Sequence, residues 1–288
     1  MKRIAILGGT GMAGNVAVKY FEEQGYDVHF TARDAPDSDK SKALDALKIN
    51  DLSDWLDSVD PDVIFNCLGV LIKESDIRPD IAVFLNSYLP RYLENGYKDS
   101  RVKIIHLSTD CVFSGKRGSY TEADIPDGET VYERTKILGE INNDKDLTFR
   151  MSIVGPDVNA AGVGLFNWFM NQHGLIRGFT EAMWTGVTTV ELARAVDAAI
   201  KQDLTGLYHL VPEKTIDKYN LLTIFRDVFD RSDIIIEPYD NYVINKTLVN
   251  TRTDFDFIVR DYLQQVEDMK KWVYKYKDEY VHYFQSKS

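Results

Sequence analysis

The chain has 288 residues, 44% of them apolar and 27% charged, and 34 Lys and Arg stand against 45 Asp and Glu for a formal charge of -11. That length suits one large α/β domain or a main domain with a smaller partner, and the composition argues against disorder, collagen-like repeats and a disulfide scaffold. The acidic balance disfavours a general binder of phosphate backbones, which would need Lys and Arg to neutralise them, so no nucleic-acid partner is expected.

Two cysteines, Cys67 and Cys111, have no CxxC spacing and cannot build a metal cluster between them, so reduced thiols and no metal site are expected. The apolar run Ile4 to Leu7 stops at Gly8, too brief for a signal-peptide core. Nothing approaches the roughly eighteen apolar residues of a membrane span. A cytoplasmic protein with no membrane contact is the expectation.

In chain order, β-branched apolar runs alternate with segments of helical period, the pattern of βαβ units feeding a parallel sheet. The sequence predicts a strand over Ile4 to Leu7, a helix over Asn15 to Gln24 and a strand over Asp27 to Thr31. A helix flank at Leu52 to Ser58, a strand at Asp62 to Asn66 and a helix at Ala82 to Glu94 follow. Next come a strand at Val102 to Leu107, a helix at Tyr132 to Asn142 and a strand at Thr148 to Ile153. This is a Rossmann-type, doubly wound α/β fold over residues 1–155. After Gly155-Pro156 the texture shifts to Gly, aromatic and amide residues, and a smaller, discontinuous C-terminal lobe is expected over 156–186 and 213–288. Residues 187–212, with an amphipathic helix at Val190 to Ile200, are expected to return to the main sheet. The tail from Tyr262, rich in Lys, Glu, Asp and aromatics, reads as a surface helix with solvated charges.

Gly8, Gly11 and Gly14 follow the first strand and open a helix with G-x-x-G-x-x-G spacing. In that context the first glycine permits a tight turn, the second lets backbone approach a pyrophosphate, and the third allows close helix packing, while the helix N-terminus offers free N–H groups. Thr10 and Met12 lie in the same turn. The plainer reading is a tight strand-to-helix turn with no ligand. At the end of the second strand stands Arg33, where a fold that prefers NAD carries an acid for the ribose hydroxyls. Arg33 suits a 2′-phosphate and points to NADPH, although the neighbouring Asp34 leaves NADH open.

Ser108-Thr109-Asp110 ends a strand, and Tyr132-Glu133-Arg134-Thr135-Lys136 begins the following helix. Positions four apart share a helix face, so Lys136 is expected to lower the pKa of the Tyr132 phenol and tune it for proton transfer. Thr109 is placed to orient a carbonyl undergoing reduction. A Y-x-x-x-K pair alone is cheap; behind a Ser-Thr strand end and downstream of the glycine turn it gains meaning.

With these residues in view, the chain resembles the extended short-chain dehydrogenase/reductase superfamily, and within it the dTDP-4-dehydrorhamnose reductase family. The matching stretches are Gly8 to Gly14, Pro61 to Asn66, Asn86 to Pro90, Ser108 to Gly115, Tyr120-Thr121-Glu122, Tyr132 to Lys136 with Gly139-Glu140, and Arg150 to Gly155. Beyond them the likeness thins to Val187-Thr188-Thr189, Gly206 to Leu210 and Trp272. The resemblance implies a catalytic set of Thr109, Tyr132 and Lys136, with Tyr132 giving a proton to a ketone and Lys136 also holding the nicotinamide ribose. It implies that Asn66, Cys67, Leu68 and Gly69 lie along the cofactor, that Asp51 and Leu52 lie near the adenine, and that Asn86 stands beside the cofactor strands or serves as a packing amide.

Two departures bear on substrate. The family has Tyr where this chain has Cys111, beside Thr109, so the surface facing the sugar differs. In the second lobe Trp184 is a candidate to stack on a base and Arg252 a candidate to pair with a pyrophosphate. The implied activity is NADPH-dependent reduction of a 4-keto-6-deoxy nucleotide sugar for polysaccharide biosynthesis. A nucleotide-sugar epimerase or dehydratase with tightly bound NAD, and a non-catalytic NADP-binding regulatory subunit, are the alternatives. A homodimer is left open.

Overall fold

The computed structural model describes residues 1–285. Its main sheet is all parallel and begins at the centre with β1 (Arg3–Leu7), whose alternate residues serve both faces. Ile4 and Ile6 join one apolar cluster, while Ala5 and Leu7 join the other. A strand buried on both sides reads as an unbroken apolar run for this reason. To one side lie β2 (Asp27–Ala32) and β3 (Ser41–Ala43); to the other lie β4 (Val63–Asn66), β5 (Lys103–Thr109), β6 (Leu147–Val154) and, at the edge, β10 (Gly206–His209). The order β3-β2-β1-β4-β5-β6-β10 reverses direction between β1 and β4. That reversal is the switch point outside which open α/β sheets bind ligands.

On one face α1 (Met12–Glu23) packs beside α8 (Thr189–Gln202), with Ala17, Phe21, Leu192, Val196 and Ala199 over Ile4, Ile6 and Phe65. Each large side chain so buried contributes about 1.5–3 kcal/mol. On the other face α2 (Ile49–Val59) sets Leu52, Leu56 and Val59 against Leu7 and Ile64. The same layer holds a continuous helical stretch: α4 (Pro79–Ala82), a π-helical turn (Val83–Tyr88) and α5 (Leu89–Gly96), preceded by the short α3 (Ile72–Ile77). Then α6 (Val131–Gly139) opens with a capping box, Thr130 and Glu133 each bonding the other's backbone. The helix expected to reach Asn142 stops at Gly139, where the chain turns extended at Glu140; glycine fits there because a Cβ would lie 1.9 Å from the Asn86 carbonyl oxygen.

Beyond β6, α7 (Leu165–Met170), β7 (Gly174–Phe179) and β8 (Ala182–Trp184) lead to β9 (Gly186–Thr188), which pairs with the far end of β6 and feeds α8. The segment 186–209 therefore rejoins the main sheet at both of its ends. The remaining elements are β11 (Ile216–Asp217), α9 (Lys218–Val228), β12 (Ile234–Tyr239), β13 (Ile244–Asn245) and α10 (Tyr262–Lys275), and they form two small sheets, β7-β12 and β11-β8-β13. The last helix is not merely a solvated surface helix. Tyr262, Val266, Met269, Trp272 and Val273 are buried in the apolar cluster that also holds Phe166, Phe169, Leu222 and Phe225, and only the opposite face carries its charges. Among the described residues no helix is long and apolar enough to cross a membrane.

Candidate active site

The glycine turn leaves the carboxyl end of β1 at the switch point. Gly8 has φ +85°, and Gly14 packs so closely that a Cβ would lie 2.1 Å from the Gly8 carbonyl oxygen. Gly11 is exposed, serves as the N-cap of α1 and has no side-chain cap, so no capping side chain takes the first-turn N–H groups, an arrangement that could cradle an anion. Met12 closes one flank of the turn, its Sδ 3.2 Å from where a Gly164 Cβ would stand.

Around that cradle the strand ends bring further groups. Thr10 donates its hydroxyl to Asp34 Oδ1 at 2.6 Å, so Asp34 is engaged while Arg33, exposed one residue past β2, forms no hydrogen bond or ion pair with any described residue. Asn66 is wholly buried, contacts His106 Nδ1 through Nδ2 at 3.2 Å and accepts from the Leu68 amide. It thereby shapes the turn Cys67-Leu68-Gly69, where Leu68 rests on Gly8. Asn86 is a buried packing amide: it grips Val70 through both N–H and C=O and donates to Thr135 Oγ1. Its seat is the π-helical turn, a local distortion common at functional sites.

Asp51 and Leu52, expected near the adenine, lie in the first turn of α2, where the Leu52 side chain is fully buried and its amide donates to the Lys48 carbonyl. Asp51 lies exposed in the first turn of α2. The residues that directly follow β3 at its carboxyl end are instead Leu44, Asp45 and Ala46. The three-residue β3 is too short to announce itself by alternation in the sequence.

Two strands from β1, β5 ends in Thr109. The Thr109 hydroxyl caps the turn Asp110–Val112 by accepting from the Cys111 amide at 3.1 Å and donates to Asp110 Oδ1 at 3.1 Å. Tyr132 is almost entirely enclosed, and burial, aided by Cys111, raises its pKa well above the ordinary phenol value, while the neighbouring Thr109 hydroxyl acts the other way. Lys136 is not among the main influences on that phenol, contrary to the sequence expectation. Its Nζ turns into the fold and donates to the Leu107 carbonyl at 2.6 Å. Burial there lowers the ammonium to about 8, with Glu140 opposing the fall.

Behind Lys136, Glu140 forms a buried two-pronged pair with Arg150, at 2.6 and 2.7 Å, and accepts from Ser108 Oγ. Arg150 also lies over the Phe113 ring. The pair ties α6, β5 and β6 together. Beside Thr109, burial raises the Asp110 carboxyl from its ordinary value against the opposing pull of Thr109 and Lys246, and pushes the Cys111 thiol up to about 12, so Cys111 stays protonated. Sequence reasoning missed Lys246, which reaches Glu133 Oε1 at 2.7 Å and whose charge is felt by Cys111 and Asp110. It comes from an irregular stretch beside a two-residue strand, with no motif to mark it.

The two second-lobe candidates take other roles. Trp184 is 6% exposed and packs against Tyr262, so its ring is not open to a base. Arg252 donates to the Thr205 and Leu207 carbonyls, pairs with Asp254 and lies over Tyr208, which fastens the loop after β13 to the sheet edge. Among the described residues no group of three or more His, Cys, Asp or Glu could hold a metal ion.

A family model described as RmlD substrate binding domain matches residues 1–246. The probable low-salt glycan biosynthesis reductase Agl14 of Haloferax volcanii is 29% identical over 228 residues, 73% of this chain and 75% of that protein. Methionine adenosyltransferase 2 subunit beta of Xenopus tropicalis is 25% identical over 268 residues, 85% of this chain and 78% of that protein. Among solved structures, a dTDP-4-dehydrorhamnose reductase from Bacillus anthracis in complex with NADP matches with a TM-score of 0.80 at 16% identity, covering 94% of this chain and 99% of that one. These likenesses extend from the Rossmann sheet through the second lobe, and with the family model spanning most of its length the chain belongs to the RmlD substrate binding domain family, within the extended short-chain dehydrogenase/reductase superfamily.

Proposed function

We propose that the chain is an NADPH-dependent reductase of a 4-keto-6-deoxy nucleotide sugar, with residues 1–155 and the returning segment 187–212 binding the cofactor and the rest forming the substrate lobe. The observation that carries this reading is the convergence of the glycine cradle, Thr109, Tyr132 and Lys136 on the carboxyl ends of neighbouring strands. The named relatives, the Haloferax volcanii reductase and a dTDP-4-keto-6-deoxy-D-glucose reductase of Streptomyces niveus, support the substrate class.

The residues present fit a dinucleotide. Gly8, Thr10, Gly11, Met12 and Gly14 would hold its pyrophosphate at the open N-terminus of α1, and Asn66 to Gly69 would line its nicotinamide half. Because Thr10 occupies Asp34, the free cation Arg33 is left to meet a 2′-phosphate, which favours NADPH over NADH. The hydride is supplied by the cofactor's nicotinamide. Tyr132, kept neutral by burial, gives a proton to the ketone oxygen, and Thr109 fixes the phenol's direction. Lys136 holds its ammonium within the fold, against the Leu107 carbonyl and in the field of Glu140.

The test is NADPH oxidation by the purified chain with dTDP-4-keto-6-deoxyglucose and its UDP, GDP and CDP counterparts. Activity with at least one, lost by 100-fold or more in Tyr132→Phe while NADPH affinity holds, is expected from the usual worth of a general acid, about 10²–10⁴. No turnover with any, or equal turnover by Tyr132→Phe, sinks the proposal. The likeness to methionine adenosyltransferase 2 subunit beta supports a second reading, a non-catalytic NADP-binding subunit. NADPH binding without turnover, together with co-purification of a second enzyme, would favour it.

A further inference from the structure

We propose that Lys218 and Lys246 hold the pyrophosphate of the nucleotide-sugar substrate, an inference that rests on the reductase reading above. Arg252, the cation first expected there, is spent on two carbonyls and Asp254. The three-stranded sheet β11-β8-β13 supplies replacements. Asp217 and Asn245 both pair with Met183 on its central strand, one from each side. Lys218, the first residue of α9, and Lys246 follow those two residues but leave toward opposite ends of β8, so their backbones stand on a diagonal of two strand spacings and about two residues of rise, roughly 12 Å, a gap that two extended lysine side chains can close on one ligand.

Both ammonium groups bear on the catalytic edge. The Asp110 carboxylate, next to Thr109, feels the positive charge of each. Lys246 runs its stem along Gly115, where a Cβ would lie 2.9 Å from its Cγ, and spends one of its three donors on Glu133. Lys218 forms no hydrogen bond or ion pair with any described residue. The two cations face the Glu133 carboxylate and Asp110, whose charged form burial disfavours, beside a phenol and a thiol that burial keeps protonated. The pyrophosphate of a nucleotide sugar carries two negative charges and is met well by lysine point charges. A pyrophosphate seated there puts the attached sugar beside Cys111, Thr109 and Tyr132 and sends the nucleoside outward over the small sheets. A sugar carboxylate is the other anion such a pair could take, and the experiment separates the two.

dTDP, UDP, GDP and CDP are titrated calorimetrically into the full-length chain saturated with NADPH, and free glucuronate and the matching nucleosides are titrated alongside. The variants are Lys218→Ala, Lys246→Met and the double. At least one nucleoside diphosphate binds the parent, each single variant weakens it about tenfold and the double about a hundredfold, as loss of a charge-assisted contact implies. Added salt weakens binding to the parent more steeply than to the double variant. NADPH affinity within twofold of the parent certifies each fold, and Lys246→Arg, which keeps both the charge and the Glu133 pair, retains nucleotide affinity. Nucleoside diphosphate binding that is unchanged in the double variant overturns the proposal, as does glucuronate binding that the variants abolish while nucleotide binding persists. If the parent binds NADPH but none of the four diphosphates, the sugar-nucleotide reading itself fails, and this inference with it.

Discussion

Lys136→Met is expected to make the chain more stable at neutral pH while abolishing its activity. Burial lowers the Lys136 ammonium from 10.5 to about 8 in the folded chain, net of the opposing pull from Glu140. At about 1.4 kcal/mol for each tenfold change in acidity, keeping that charge inside costs the folded state roughly 3 kcal/mol at pH 7. Methionine retains the stem and sheds the charge, but it orphans the Leu107 carbonyl, which accepts a 2.6 Å hydrogen bond from Nζ. That loss is worth about 1 kcal/mol. The remaining gain of about 2 kcal/mol corresponds to roughly 4–8 °C in melting temperature for a chain of this size. The pH dependence has a definite sign. Between about 8 and 10.5 the unfolded chain holds the lysine proton and the folded chain does not, so the parent gains stability as pH rises through that window. The variant's advantage therefore narrows from pH 8 upward and is gone by about pH 10. Melting curves by circular dichroism at pH 7, 8.5 and 10, paired with NADPH oxidation assays, measure both effects. A variant that melts below the parent at pH 7, or a gap that stays constant to pH 10, would refute the claim that a buried charge is carried here at a cost to stability.

Gly14→Ala forces a Cβ to within 2.1 Å of the Gly8 carbonyl oxygen; overpacking of about 1–3 kcal/mol and a collapse of NADPH affinity measured by fluorescence are expected. Arg33→Ala should weaken NADPH by about 10–100-fold, the worth of a hydrogen bond to a charged group, and leave NADH unchanged in the same titration. Arg150→Met leaves the Glu140 carboxylate buried with only Ser108, which should cost about 3–5 kcal/mol in chemical denaturation. Adding Glu140→Gln to that variant should recover part of the loss, because the uncompensated charge is then removed.

The strands that could be read from the sequence are the ones buried on both faces. Ile4 to Leu7, Val63 to Phe65 and Ile104-Ile105 form unbroken apolar runs, since helices cover each side of the sheet, and the polar residues of these strands gather at their ends and at the buried His106. The glycine turn was legible for a similar reason: Gly8 and Gly14 are demanded by a positive φ and a backbone contact that other residues cannot meet. The second lobe offers no such constraint. Strands of two or three residues, as at Ile216–Asp217 and Ile244–Asn245, are too short to show alternation. In the last helix the stripe Tyr262, Val266, Met269, Trp272 and Val273 was present at helical spacing, but the abundant charges drew attention to its wet face. Trp184 and Arg252 stand out in the sequence by residue type alone. Burial and bonding decide whether an indole or a guanidinium is free for a ligand, and neither is visible in a single sequence.

The same limit explains why net charge misleads at the site. A sum of -11 over the chain weighs every exposed carboxylate equally, yet solvent and salt screen those charges within about 10 Å. What a small dianion meets is the local arrangement: an uncapped helix N-terminus and Arg33 on one side of the switch point, Lys218 and Lys246 on the other. Between them the ionisable groups nearest the chemistry are held neutral or inward by burial, with the Tyr132 phenol and Cys111 thiol raised and the Lys136 ammonium turned into the fold. On the reductase reading an acidic exterior does not oppose two small pyrophosphates, because the cations proposed to meet them are few and local.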